Sequence, residues 1–186
     1  MRRGLLWIMI ALLLCGCTRD EENLKPALDL RRKLQSASSC SFECEITADY
    51  GDAFYTFVMQ CTADKSGELK FEVVEPDTIS GITGNISGDE GELTFDESVL
   101  AFDTLADGYI TPVASPWVMV NALKSGYITS CGKYDGGYRI ALNDTYEDDA
   151  LQLDVWTDEF GNPIQCDILY KERRCLSLQV KGFTIV

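Results

Sequence analysis

Eight cysteines and no histidine bound the chemistry open to this chain. Imidazole is the usual general base and the commonest metal ligand, so a Ser-His-Asp triad, a zincin site and a two-His-one-carboxylate iron site are excluded. Thiolates alone can hold zinc or an iron–sulfur cluster, but those sites use closely spaced cysteine pairs, and the chain has no C-x-x-C. No metal and no cofactor are expected. Carboxylates are abundant, 30 Asp plus Glu against 16 Lys plus Arg. Two runs concentrate them, Asp89-Glu90-Gly91-Glu92 and Asp144-Thr145-Tyr146-Glu147-Asp148-Asp149. Neither offers the alternating oxygen ligands and closing Glu of a calcium loop, so both read as solvated loops. Glycoside chemistry needs two carboxylates at a fixed separation across a cleft, and chance pairs are certain among so many acids. The chain is read as a non-enzyme. Its formal net charge of −14 argues against a nucleic-acid partner, since a phosphate backbone repels an acidic surface.

The strongest motif stands at the N-terminus. Arg2 and Arg3 precede an apolar run from Leu5 to Leu14, closed by Leu14-Cys15-Gly16-Cys17, which is the order of a secretory signal. The run is too short to span a bilayer, which takes about 20 helical residues. The closing tetrad resembles the bacterial lipobox, in which small residues precede a cysteine that is diacylated on sulfur and becomes the mature N-terminus. Gly16 before Cys17 suits a peptidase that demands small residues, whereas bulky Leu14 precedes Cys15, so Cys17 is the lipidation candidate. This divides the chain into a lipoprotein signal peptide (1–16), an acylated cysteine with a polar tether (17–23) and one domain (24–186). Palmitate-like chains, each buried methylene contributing about 0.8 kcal/mol, would hold the protein to the extracytoplasmic face of a bacterial membrane. The processed chain has 14 basic and 30 acidic residues, a formal −16, and should stand off from an anionic surface.

Past that motif remain Cys40, Cys44, Cys61, Cys131, Cys166 and Cys175, an even number in an exported protein, and disulfides are the default reading. A hairpin of Ser41 to Asp49 against Ala53 to Thr62 puts Cys44 and Cys61 near one another on one face. A second hairpin around Lys171-Glu172 places Cys166 and Cys175 on one face as diagonal neighbours, able to bridge only through a bulge or register shift. Cys40 and Cys131 pair only by elimination. Free buried thiols, packed as small hydrophobes, and an intermolecular disulfide are the alternatives.

The elements that must position these residues follow from periodicity. The 186 residues, 46% apolar and 10% aromatic, suit one domain with a real core. Leu24 to Ser38 has helical spacing, with Arg31, Arg32 and Lys33 mostly opposite the apolar side. From Cys40 the period becomes two: Cys40, Phe42, Cys44, Ile46 and Ala48 share one face, as do Tyr55, Phe57, Met59 and Cys61, then Leu69, Phe71 and Val73, before Pro76 ends the strand. Strands are also expected at Glu92 to Phe95 and Val99 to Phe102. Ser115 as N-cap and Pro116 at the first helical position start a second helix that runs to Gly126. Further strands are expected at Tyr127 to Cys131, Tyr138 to Leu142, Ala150 to Thr157 and in the terminal hairpin. The class is α+β, a long antiparallel sheet with one greasy face and two helices to cover it.

An N-terminal amphipathic helix, a hairpin opening Phe42-Glu43-Cys44-Glu45-Ile46-Thr47, Val73-Val74-Glu75-Pro76 followed by Gly81, a mid-chain helix and a late Asp158-to-Pro163 turn together resemble the LolA/LolB lipoprotein-localisation superfamily over residues 24–183. The resemblance implies a strongly curved half-barrel sheet covered by helices, enclosing an apolar cavity that receives acyl chains or a lipidated protein. Phe42, Ile46, Tyr55, Phe57, Met59, Leu69, Phe71 and Val73 would line such a cavity, with Trp117 and Met119 beside Pro116 in its lid; the same residues would equally fill a closed core. A protein of this kind meets the membrane through its anchor and carries either a hydrophobic ligand or, as a scaffold, an envelope protein such as a cell-wall enzyme. Phe54 and Val58 point away from the greasy face, and their exposure would favour docking.

Overall fold

A two-residue period sets the architecture from the first strand of the domain. A computed structural model describes residues 18–87, 92–95 and 104–186. The segment read as a signal peptide, Cys15, the lipidation candidate Cys17, Asp89, Glu90 and the expected strand Val99 to Phe102 lie outside the described residues. Helix α1 spans Thr18–Ser36. It absorbs the segment read as a tether, so Thr18 to Asn23 is the first stretch of the helix. Strand β1 (Ser39–Asp49) then alternates strictly, with Cys40, Phe42, Cys44, Ile46 and Ala48 buried. It pairs in an 11-residue antiparallel register with β2 (Phe54–Asp64), Phe42 opposite Cys61 and Ile46 opposite Phe57. β3 (Leu69–Glu75), β4 (Thr83–Ser87) and β5 (Glu92–Phe95) continue this meander outward.

A 3-10 turn at Pro112–Ala114 runs straight into helix α2 (Ser115–Ser125). This changes the role expected for Ser115. Its hydroxyl donates back to the Pro112 carbonyl at 2.6 Å and is fully buried, while Ala114 holds the cap position. Then come β6 (Tyr127–Tyr134), β7 (Gly137–Asn143), β8 (Gln152–Thr157), β9 (Pro163–Tyr170) and β10 (Arg173–Ile185). The sheet order is β5-β4-β3-β2-β1-β10-β9-β8-β7-β6, antiparallel throughout. Two meanders are thus stitched together by one non-local pairing, β1 with β10, in which Cys40 meets Ile185 and Ala48 meets Leu176. β5 and β6 stand at opposite ends of this order, so the sheet is an open half-barrel. The chain crosses between them through α2, and both helices cover the inner face.

One apolar cluster fills the space between sheet and helices. It joins Ala27, Leu30 and Leu34 of α1, Met119, Val120 and Leu123 of α2, and inward residues of strands across the sheet. β7 enters this core at Gly137, where a Cβ would lie 1.9 Å from the Thr157 carbonyl oxygen and 2.6 Å from that of Asp158. Backbone has no rotamer by which to yield. Gly137→Ala should therefore cost about 1–3 kcal/mol by forcing β7 and β8 apart, read as a lower urea midpoint at unchanged m-value.

Candidate functional site

The inner face of the half-barrel is built by the alternation described above, and it gathers most of the residues singled out in the sequence. Ile46, Met59, Leu69, Val73 and Met119 are 0% exposed, and Phe42, Phe57 and Phe71 no more than 4%. They touch one another and the helices as a packed core. Trp117 is half-buried on α2, where its indole N–H donates to the Gly67 carbonyl at 2.9 Å and ties the helix to the β2–β3 turn.

Tyr55 departs from the expected set. It is 55% exposed and meets Tyr50 edge-on, with ring centroids 5.6 Å apart. β3 reaches β2 only as far as Glu75 opposite Val58, and the register slips between Val58 and Met59. Tyr55 still stands opposite the buried Ala48 on the inner face, but past the end of the β3 pairing. Val58, expected to face outward, is buried, whereas Phe54 is 67% exposed as expected. Phe54 and Tyr55 thus form an apolar tip on the β1–β2 hairpin.

The cover is held by a device that periodicity alone does not announce. Arg31 of α1 directs Nε to the Leu123 carbonyl at 3.0 Å and Nη2 to the carbonyls of Gly126 at 2.6 Å and Ala122 at 3.4 Å. A cation on one helix thereby satisfies the orphan carbonyls at the C-terminus of the other, where the dipole also favours positive charge. Gln35 adds a bond to the Lys124 carbonyl, and Lys124 Nζ donates to the Asp64 carbonyl at 3.0 Å. Partial burial lowers the Arg31 pKa, yet a guanidinium stays charged. Arg31 borders the buried Ala27–Leu30–Leu34 stripe at helical spacing, and that position was the available signal; net polarity assigned it to the outer side instead.

The six cysteines of the domain are all free thiols. Cys61 lies opposite Phe42, so both Cys40 and Cys44 are its diagonal neighbours on the inner face. Cys166 faces Leu178. The expected two-residue Lys171-Glu172 loop forms, but a bulge between Arg174 and Leu176 shifts the register by one, and Ile168 opposes Leu176 instead of Cys175. The Cys175 thiol instead donates to the Ile168 carbonyl at 3.3 Å. Cys131 sits on β6 beside α1, and the sheet order separates its strand from that of Cys40.

Burial raises the pKa of every one of these thiols, most strongly at Cys44, Cys61 and Cys166, where neighbouring acidic groups add to it. A raised folded pKa leaves stability intact below the ordinary thiol value and erodes it as pH climbs beyond that value, because only the unfolded chain then releases the proton. Chemical unfolding should therefore show a stability that holds to about pH 8.5 and falls above it, each sheltered thiol contributing about 1.4 kcal/mol per pH unit. A flat profile to about pH 10 would show the thiols oxidised or absent from the core.

Surface grooves complete the geometry. One of about 670 Å³ runs over β1 to β4 along polar residues such as Ser41, Gln60, Thr62 and Lys70. One of about 410 Å³ separates α1 from the β8–β9 turn, between Lys25, Lys33 and the exposed Phe160. One of about 490 Å³ follows β7 and β8. Another, about 450 Å³, opens where the β1–β2 and β9–β10 turns meet the loop at Thr104 to Asp107.

The protein is thus an α+β half-barrel: a single strongly curved antiparallel sheet, open at its edges, covered by two helices. No protein-family model and no curated protein sequence matches the chain. Solved structures of similar fold include an uncharacterised conserved protein from Thermus thermophilus (10% identity, TM-score 0.45, covering 87% of this chain and 86% of that one). Two others are a putative outer-membrane lipoprotein-sorting domain from Vibrio parahaemolyticus (7%, 0.41, 90% and 93%) and a LolA superfamily protein from Nitrosomonas europaea (9%, 0.38, 86% and 93%). The likeness is one of fold alone.

Proposed function

We propose that this protein is a membrane-anchored, extracytoplasmic binding module that takes a hydrophobic ligand, an acyl chain or a lipidated protein onto the inner face of its half-barrel. The observation that carries the reading is the attachment of the cover. A continuous apolar sheet face lies under two helices whose side-chain hydrogen bonds to their surroundings are few among the described residues and end on backbone carbonyls: Arg31 to α2, Trp117 to Gly67 and Lys124 to Asp64. With so few directional ties, a ligand that binds the apolar face can offset the loss of these bonds, so the helices can lift and expose that surface to it. The sequence supports the location, through a signal segment ending in the lipobox-like Leu14-Cys15-Gly16-Cys17 with Cys17 as the acylated residue.

Native mass spectrometry of the exported chain, purified without detergent, tests this directly. A bound mass of lipid size that is lost on denaturation is the expected result. A bare protein that also fails to take up a fluorescent fatty acid would overturn it.

A second reading has its own observation. Phe54 is 67% exposed on the outer face of the β1–β2 tip, as a scaffold that docks an envelope protein would present it. Crosslinking in intact envelopes from a probe at Phe54 that captures no specific partner would set that reading aside.

A further inference from the structure

The groove at the meeting of the β1–β2 turn, the β9–β10 turn and the 104–110 loop differs from the others in its floor, its rim and its backbone. Its floor includes Leu105, Tyr170 and Cys175, all members of the buried apolar cluster, with Tyr50 packed beside them. The space therefore leads straight onto the core. Its rim carries two cations from one hairpin, Lys171 and Arg173, both well exposed.

Each cation already holds a carboxylate of the chain itself. Lys171 Nζ donates to Asp107 at 2.8 Å, and Arg173 Nη2 donates to Asp49 at 3.2 Å, while Arg173 Nε and Nη1 make no hydrogen bond among the described residues. Two anion-sized positions are thus laid out above an apolar floor, each occupied by an internal stand-in. The aromatic ring of Tyr170 lies under the Lys171 ammonium, 4.7 Å from centroid to nitrogen, and meets Tyr109 at a tilt with centroids 5.4 Å apart, Tyr109 itself bonding Asp149.

The backbone is unusual at the same place. Five residues other than glycine have positive φ among the described residues, and four of them are here: Ala106 and Asp107 at 55°, Lys171 at 50° and Glu172 at 65°. Conformations of this kind persist where the surroundings hold them, and they gather at ligand clamps and switching segments. The Lys171–Asp107 pair joins the two turns, the hairpin loop Lys171-Glu172, where positive φ at both residues is the ordinary turn geometry, and the Ala106-Asp107 turn. A ligand anion that displaced Asp107 would let the 104–110 loop relax away from the floor.

We infer that this groove is the mouth of the half-barrel and selects amphiphiles with an anionic head, a carboxylate or phosphate received by Lys171 and Arg173 while the apolar tail passes over Leu105 and Tyr170 toward the core. This rests on the proposed binding function and names the class of ligand for it. An apolar tail with an uncharged head would find the floor but leave both cations on their internal partners.

The test uses the exported chain, a fluorescent anthroyloxy-stearate and the methyl ester of the same probe. The acid should bind about tenfold more tightly than the ester, the gain expected of charge-assisted bonds. Lys171→Gln with Arg173→Gln should abolish that preference and leave ester binding unchanged, and both sites are exposed, so unfolding midpoints should match the parent. Asp107→Asn, which removes the stand-in, should tighten the acid a few-fold; a merely structural ion pair would give losses in both variants. Equal binding of acid and ester, or a preference that survives loss of both cations, would overturn the inference while the binding function stands. Binding of neither probe would overturn the function itself. Displacement of the acid by inorganic phosphate would mark a site for free anions and also overturn the amphiphile assignment; no displacement is expected.

Discussion

Phe57→Ala should lower the unfolding free energy by about 3–5 kcal/mol, the range for removing a large aromatic side chain from a well-packed interior. Phe57 is 2% exposed and lies opposite Ile46, which is 0% exposed, on the inner face of the sheet. The loss has two parts. Transfer of the ring from water into the core no longer contributes, and the surrounding Met59, Val73 and strand backbone can only partly close over the hole. The measurement is a urea or guanidinium titration in which the midpoint falls and the slope holds, since the same surface is exposed on unfolding. The size of the loss also bears on function. A ring that lined a standing open cavity would leave little new void behind, and a cost below about 1.5 kcal/mol would show that the ligand space exists before the ligand arrives. The full cost would show that the face is closed at rest and that a ligand must displace the cover, as the proposed function requires.

Arg31→Ala should cost about 2–3 kcal/mol, the loss expected when a charged donor is withdrawn from buried acceptors. Three carbonyls at the C-terminal end of α2 lose that donor at once, in a partly buried place where water replaces it poorly. Arg31→Lys should recover less than half of the loss, because a single ammonium cannot reproduce a fork that spans Leu123 and Gly126. Besides equilibrium unfolding, amide exchange should separate this variant from a general destabilisation. Protection should fall in α1 and α2 while the β1–β2 and β1–β10 pairings keep theirs. If the helices are the displaceable cover, the same variant should take up a fluorescent acyl probe faster than the parent. Unchanged uptake with lowered stability would leave Arg31 as a structural clamp only.

Local pattern determined a great deal. Alternation from Cys40 to Ala48 can bury one face only, so β1 and its inward set follow from the order of residues. The β1–β2 hairpin, by contrast, turns one residue differently from the expected Tyr50-Gly51-Asp52 turn, with Tyr50 bonding Ala53 and Asp49 opposite Phe54. Pro76, Lys171-Glu172 and the glycine-rich turns mark where strands end, because ring closure or positive φ is needed there. The helical spacing of Ala27 and Leu34 and the apolar run of α2 likewise announce buried sides, although Leu28, which the same spacing puts with them, is 43% exposed and Leu30 is buried instead. The proposed signal segment and the proposed acylation of Cys17 rest on sequence alone, since a peptidase and an acyltransferase read a linear motif.

Other features belong to the tertiary structure. A register slip at Cys175 takes it off its expected partner, and β3 ends its pairing with β2 at Val58, which leaves Tyr55, opposite Ala48 on the inner face, past the end of the cover; a bulge and a strand's end depend on the neighbouring strand's length and twist, which no single strand encodes. The pairing of β1 with β10 joins residues far apart in the chain, and only the closed core decides it. Arg31 looks polar in the sequence and is a clamp in space, because the carbonyls it serves come from a helix about ninety residues later, and orphan carbonyls have no sequence signature. The mouth is likewise invisible in the chain: Asp49, Asp107, Lys171 and Arg173 are scattered acids and bases until three turns meet, and distance in space, which sets both their pairing and their competition for a ligand, is fixed by packing rather than by order.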